Sequence, residues 1–323
     1  MLGSIKVQKT IKSIEMKNYN TIRTTYFYKA LLVLMFMPLG FVSFAQDTAV
    51  VAAPKVEKKK SYVKNTFEGN YIIDNQTVMV PVKGTFEFDI NHRFGSTDHA
   101  FKDLFGLFAS ANMRLGFSYT FIKDLQIGLG ANNYNMQVDW SAKYALLKQT
   151  KDHKIPVSVT YYGNVAMDTR AKSSALPIVN TSDRFSFFNQ ILLATKISDA
   201  WSVQAGIALS HFNNVEGYYD KQQVIQSKMK NDHLAFSVST RYKISPKTSI
   251  VFNYDQPLTQ HPMNNPRPNF SLGLDMKSSG HDFQFFAGNY GYTIPQLNHF
   301  FNQNDYASGQ FVIGFNISRL WNF

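Results

Sequence analysis

Charged side chains recur at every second or fourth position along several segments of this chain, and the positions between them are apolar. Glu87, Asp89 and Arg93 alternate with Phe86, Phe88, Ile90 and Phe94. Arg114 opens a run in which Leu115, Phe117, Tyr119 and Phe121 share one parity. Asp139 and Lys143 alternate with Val138, Trp140, Ala142 and Tyr144, and Arg241 with Lys243, Asp255, and Asp275 with Lys277 repeat the arrangement further on. Successive side chains of a strand point to opposite faces, so each charged set shares a face that backs onto an apolar one. Ionisable groups of both signs gathered on such a face could select solutes by charge and size. They could equally pair across strands and fill an interior with ion pairs.

Other chemistries find less support. The histidines at 92, 99, 153, 211, 233, 261, 281 and 299 include no helical i, i+4 pair and no H-E-x-x-H, so a metal centre is not expected. Ser210 and His211 bring an outer-membrane lipase to mind, but neighbours on a strand face opposite sides and cannot act on one bond together. No G-x-S-x-G is present. The reading is therefore of a chain without catalytic, cofactor or metal residues, with a lipid-modifying enzyme kept as the least favoured alternative. The absence of Cys fits an exported chain and excludes haem attachment through C-x-x-C-H.

The elements that must carry these charges are strands. Aromatic residues make up 15% of the chain, 28 of them Phe and 17 Tyr, and they are interleaved with polar neighbours. Beyond the N-terminal region no uncharged apolar stretch reaches the length of a helical membrane span, so any span must be β. Period-two segments are expected near 84–95, 114–122, 125–133, 135–149, 154–168, 184–197, 200–213, 231–244, 247–256, 268–277, 281–291 and 309–323. Those twelve strands predict a single antiparallel transmembrane β-barrel over 84–323, with ten or fourteen strands as the bounds. The segments 184–197 and 281–291 break the pattern, because Phe188, Leu192 and Phe286 fall on the polar side.

Connections sort by length. Short turns such as 122–124, 197–200, 244–247 and 277–280 largely alternate with long loops at 96–113, 169–183, 214–230, 256–267 and 292–308, and one hairpin, around 131–135, is short on the long side. That is the habit of outer-membrane barrels, with short periplasmic turns and longer external loops. Tyr119, Phe121, Trp140, Tyr144, Trp201, Tyr242, Trp321 and Phe323 are placed as interfacial anchors. Tyr218, Tyr219, Phe300 and Phe301 lie on loops, where they could contact a ligand or pack the loops together. The last run, with Gly314 on one face and Trp321 and the terminal Phe323 on the other, has the form of a C-terminal assembly signal, which implies the β-barrel assembly machinery as a partner.

At the other end, Lys17, Arg23 and Lys29 precede the apolar run 30–44 and the Ser43-Phe44-Ala45 site, which predicts a signal peptide over 1–45, with Met16 as an alternative start. Residues 46–64 read as a periplasmic linker, and its lysines could meet a periplasmic partner. Residues 65–83 are too apolar for a plain linker and are expected at the periplasmic mouth or in the lumen as a partial plug. The net charge of +11 belongs mostly to these regions: six basic residues and one acidic lie in 1–45, and five basic and one acidic in 55–64. Nucleic-acid binding is accordingly not expected.

The runs Val80-Pro81-Val82-Lys83-Gly84, Asn91-His92-Arg93-Phe94-Gly95, Tyr254-Asp255-Gln256-Pro257-Leu258-Thr259 and Gly314-Phe315-Asn316-Ile317-Ser318-Arg319 resemble a family of Bacteroidota outer-membrane β-barrels of unassigned function. The resemblance implies the barrel and the outer membrane, with its lipid and lipopolysaccharide, and no substrate. Three functions stay open: a passive or gated pore for small polar solutes, a closed barrel serving as a structural or docking platform, and the enzyme. A barrel of this strand number is only moderately wide, which favours a filled or partly filled interior.

Overall fold

The computed structural model describes residues 61–172 and 178–323. The expected signal peptide and most of the linker lie outside the described residues. Twelve strands close into one antiparallel barrel. They are β3 (Thr85–Ser96), β4 (Asn112–Ile122), β5 (Leu125–Asn132), β6 (Gln137–Leu147), β7 (Ser158–Asp168), β8 (Phe185–Lys196), β9 (Trp201–Phe212), β12 (Asp232–Ser245), β13 (Thr248–Pro257), β14 (Asn269–Ser278), β15 (His281–Gly288) and β16 (Val312–Asn322). The short strands β1 (Tyr71–Ile72) and β2 (Asn75–Gln76) pair before the barrel begins, and β10 (Gly217–Tyr219) and β11 (Ile225–Ser227) pair within a long loop. Closure comes from the last strand pairing with the first, from Asn322 opposite Thr85 to Val312 opposite Ser96. No wall strand therefore presents an open edge to lipid, where its backbone groups would find no partner. Gly84, at φ +87°, makes the turn into β3; a Cβ there would lie 3.0 Å from the carbonyl oxygen of Phe323.

Burial alternates along the strands as the sequence pattern requires. In β3 the polar set Thr85, Glu87, Asp89, Asn91 and Arg93 is buried, and Phe86, Phe88, Ile90 and Phe94 are half-buried on the other face. Leu129, Trp140, Ile207, Leu272 and Phe285 are exposed on the outside. An apolar outer wall round a polar interior is a membrane barrel turned to lipid, the reverse of a soluble protein's arrangement. Among the described residues no helix is long and apolar enough to cross a membrane.

Three boundaries differ from expectation by three residues or more, for local reasons. Strand β7 begins at Ser158 rather than 154, because the connection before it pairs with the incoming chain: Tyr62 bridges Thr150, and Val63 N–H donates to the Gln149 carbonyl at 2.8 Å. Strand β15 stops at Gly288 rather than 291, since the chain there turns inward toward helix α1 (Pro295–Phe301). Strand β16 begins at Val312 rather than 309, after a short turn that ends at Gly309 with φ +76°.

Candidate functional site in the barrel lumen

The charged residues aimed inward by the alternation stand on the inner face of the wall. Glu87, Asp89, Arg93, Arg114, Asp139, Lys143, Arg241, Asp255 and Asp275 are all buried. Lys243 and Lys277, near the short-turn ends of β12 and β14, keep side-chain exposures of 33% and 42%. Arg114 reaches both Asp89 and Asp139 at 2.8 Å. Gly116 and Gly130 lie beneath this triad, where a Cβ would collide with its guanidinium and carboxylates.

The other charges are brought together by residues 65–80, which run inside the barrel. Their contacts reach every wall strand. Glu68 binds Arg241 at 2.5 Å and Lys277 at 3.0 Å, with Lys243 at 3.5 Å. Asp74 binds Arg93 at 2.9 Å, both side chains 2% exposed, and accepts from Ser271 at 3.2 Å. Asn70 donates to Glu87 and to Gln126, and Lys143 Nζ donates to the Asn70 carbonyl at 3.2 Å and to Gln76 at 3.1 Å. Asn75 donates to Asn253 and to Asp255 at 2.7 Å and accepts from Gln190. Arg114 donates to the Tyr71 hydroxyl, Thr160 to the Val78 carbonyl, Gln204 to the Gln76 carbonyl, Gln284 to the Tyr71 carbonyl and Asn316 to the Ile73 carbonyl. A segment bonded to the inner face of all twelve strands can lie nowhere but the lumen.

Apolar contacts complete the seat. Phe67, Ile72, Ile73 and Val78 pack with Leu192, Ala194, Val251 and Phe286. Leu192 and Phe286, anomalous for a water-lined wall, are thus the wall's half of a small dry interface. Ile73, at the tip of the β1–β2 hairpin, has φ +56°, an unfavourable conformation for a β-branched residue. It is held there by Gln284, which accepts from its N–H at 3.0 Å, and by Asn316 on its carbonyl at 2.7 Å.

Toward the long-loop end, helix α1 fills the barrel above this segment. Gln296 donates to Asn164 at 3.0 Å, and His299 packs edge-on against Phe188, the third anomalous apolar residue. Phe300 is fully buried against Phe212, His233 and His261. Of the two readings open for it, ligand contact and packing, Phe300 takes the second: it belongs to an apolar cluster with Leu297 and Ile294. Tyr219 is exposed, and Tyr218 and Phe301 are partly so. Burial pushes the His299 imidazole down to about 4, and burial and then the Lys230 charge hold His261 below the ordinary histidine value. Among the described residues no cluster of ligating side chains suits a metal ion. Ser210 is buried, whereas His211 is half-buried and hydrogen-bonded to Asp232 and Asn213, so the two do not meet.

The residues that sequence reasoning missed are mostly amides and the segment's own acids. Gln126, Gln190, Gln204 and Gln284 share the inward parity of their strands, so the alternation contains them, but a neutral amide on a polar face carries no mark of a special partner. Glu68 and Asp74 lie where no strand pattern exists. Of the assembly-signal residues, Gly314 lies against the His92 carbonyl at the β16–β3 seam, Trp321 lies under the Arg319 guanidinium, and Phe323 is exposed. The lumen that remains holds two small cavities of about 20 Å³ each, one lined by Tyr71, Glu87, Arg114 and Lys143 and the other by Asp74, Asn164 and Gln190. Each has room for about one water. Residues 65–80 and helix α1 thus occupy much of the lumen.

Among solved structures, the chain is similar to the NanC porin, with 9% identity and a TM-score of 0.45 over 73% of this chain and 99% of that one. It is similar also to an outer-membrane channel from Pseudomonas putida F1, with 10% identity and a TM-score of 0.45 over 75% and 97%. The KdgM porin gives 9% identity and a TM-score of 0.41 over 73% and 98%. Likeness at this level leaves function to be read from the chain's own geometry. No curated protein sequence matches. Residues 67–321 match the family described as membrane bound beta barrel domain (DUF5777), and the chain belongs to that family.

Proposed function

We propose that the protein is a gated outer-membrane pore for small polar solutes, with residues 65–83 as its gate, and that it is not an enzyme. The observation that carries this reading is that the short-turn half of the lumen is filled by one continuous segment from outside the wall, while the wall closes on its own ladders. An eight-stranded barrel is filled by its own inward side chains, and barrels of sixteen or more leave an aqueous channel. Twelve strands lie between, so removing the segment frees the polar inner face at the short-turn end without breaking a wall hydrogen bond between strands, and leaves helix α1 as what stands toward the long loops. The Bacteroidota origin suggested by the Val80 to Gly84 and Asn91 to Gly95 runs is part of the same proposal.

The dry contacts of Phe67, Ile72, Ile73 and Val78 favour the second reading, a permanently closed platform. The two separate in planar bilayers. The refolded full chain is expected to give rare openings, and deletion of residues 65–83 is expected to give a steady current. Unchanged current after the deletion would overturn the pore and leave the platform.

A further inference from the structure

We infer that the pore conducts anions, and that Glu68 and Asp74 occupy the stations at which the carboxylate of a small acidic solute binds; this rests on the gated-pore reading above. The ionic groups of the wall divide by the source of their partners. Arg114 takes both carboxylates, Asp89 and Asp139, from the wall itself. That triad, one guanidinium against two carboxylates, keeps the same partners and the same charge whether or not the segment is present. Arg93 takes Asp74 at 2.9 Å, and Arg241, Lys243 and Lys277 share Glu68 at 2.5, 3.5 and 3.0 Å, all from the segment. When the segment leaves, four wall cations lose these carboxylates.

The carboxylates of the wall lose no comparable charge. Asp255 is held by Asn253 at 2.7 Å and Asn269 at 3.0 Å from the wall, and loses only the neutral Asn75. Glu87 keeps Gln126 at 2.8 Å and loses only Asn70. Asp275 and Asp282 remain near the short-turn end, two acids beside three cations, while Arg93 faces the lumen from β3 with no segment acid to meet it. The vacated path therefore carries a positive excess at two stations. In a confined, low-dielectric passage each of those two stations attracts anions and repels cations. The stations suit carboxylates in particular, because a guanidinium fork matches a carboxylate's two oxygens and each station already holds one.

The test uses the full chain carrying Glu68→Gln and Asp74→Asn, which keep side-chain shape and remove the segment's two charges. In planar bilayers under a potassium chloride gradient, openings are expected several-fold more often than in the unaltered chain. Their reversal potential is expected to show chloride permeating several-fold better than potassium, and sodium gluconate on one side is expected to reduce the chloride current by competition. Adding Lys243→Gln and Lys277→Gln, at partly exposed positions, is expected to bring the permeability ratio toward one. Equal or greater permeation of potassium would overturn the anion assignment and leave the pore standing. Absence of openings in the refolded variant would overturn the assignment together with the gate. Should the double variant fail to refold, the reversal potential of the unaltered chain's spontaneous openings makes the same decision.

Discussion

At the residue scale the histidines above residues 65–80 report how strongly burial disfavours a charged imidazole there. The Lys230 N–H donates to His261 Nδ1 at 3.0 Å, so the hydrogen of neutral His261 sits on Nε2 and is donated to His233 Nδ1 at 2.8 Å. A second proton on either ring would set two donors face to face. His299, with Nε2 at 3.7 Å from Asp255 and its value depressed to about 4 by burial, holds the helix end of the same cluster. A depressed histidine favours the folded state fully above the unfolded value of about 6.5, and that contribution is lost as pH falls through the window to about 4, because the unfolded chain takes up the proton first. We expect acidification across that window to lower stability by roughly 3 kcal/mol through His299. Urea unfolding in phospholipid vesicles at pH 7.5, 5.5 and 4.5 checks this, with His299→Gln expected to flatten the slope. A profile of equal steepness in that variant would contradict the assignment.

At the element scale the question is why strands were legible and their contents were not. Alternation from Phe86 to Phe94 or from Val138 to Tyr144 arises wherever a two-residue period separates two media, so twelve strands could be counted to within a few residues of β3–β9 and β12–β16. Helix α1 gives no such signal, since seven residues within a loop are too few for a period. The hairpin of β1 and β2 is too short to alternate, and its register is imposed by wall amides. Phe188, Leu192 and Phe286 carried the missing information as exceptions: an apolar residue of inward parity marks a place where something other than water touches the wall. Phe286 tests this, because it packs in the segment's apolar cluster and lies 4.5 Å beneath the Arg93 guanidinium that binds Asp74. Truncation of a buried Phe costs about 3–5 kcal/mol. For Phe286→Ala we expect much of that cost to fall on the seated segment, raising the open probability in bilayers while the urea midpoint of the wall moves little. A lowered midpoint with unchanged gating would assign Phe286 to the wall alone.

For the whole molecule, sealing against lipid and sealing against solute flow are separate tasks done by separate parts. The wall satisfies its backbone by closing β16 onto β3, and its outer surface is apolar because the medium there offers no hydrogen bonds. The lumen is occupied by helix α1 and by a segment anchored near Tyr62 and Val63, and the contacts of that segment could be lost without opening a wall ladder. The membrane then determines which substitutions the wall tolerates. Leu129 stands mid-strand on β5, exposed on the outer face opposite Phe117 and Trp140. A cation at such a depth costs about 2–4 kcal/mol near the bilayer midplane. Leu129→Arg is therefore expected to lower the unfolding free energy in phosphatidylcholine vesicles by that amount, and Leu129→Phe by less than about 1 kcal/mol, since it keeps the contact with lipid apolar. The reasoning requires both results together. Equal tolerance of the two substitutions would mean that this face meets water, and the apolar wall would then have to be explained by another protein surface instead of by lipid.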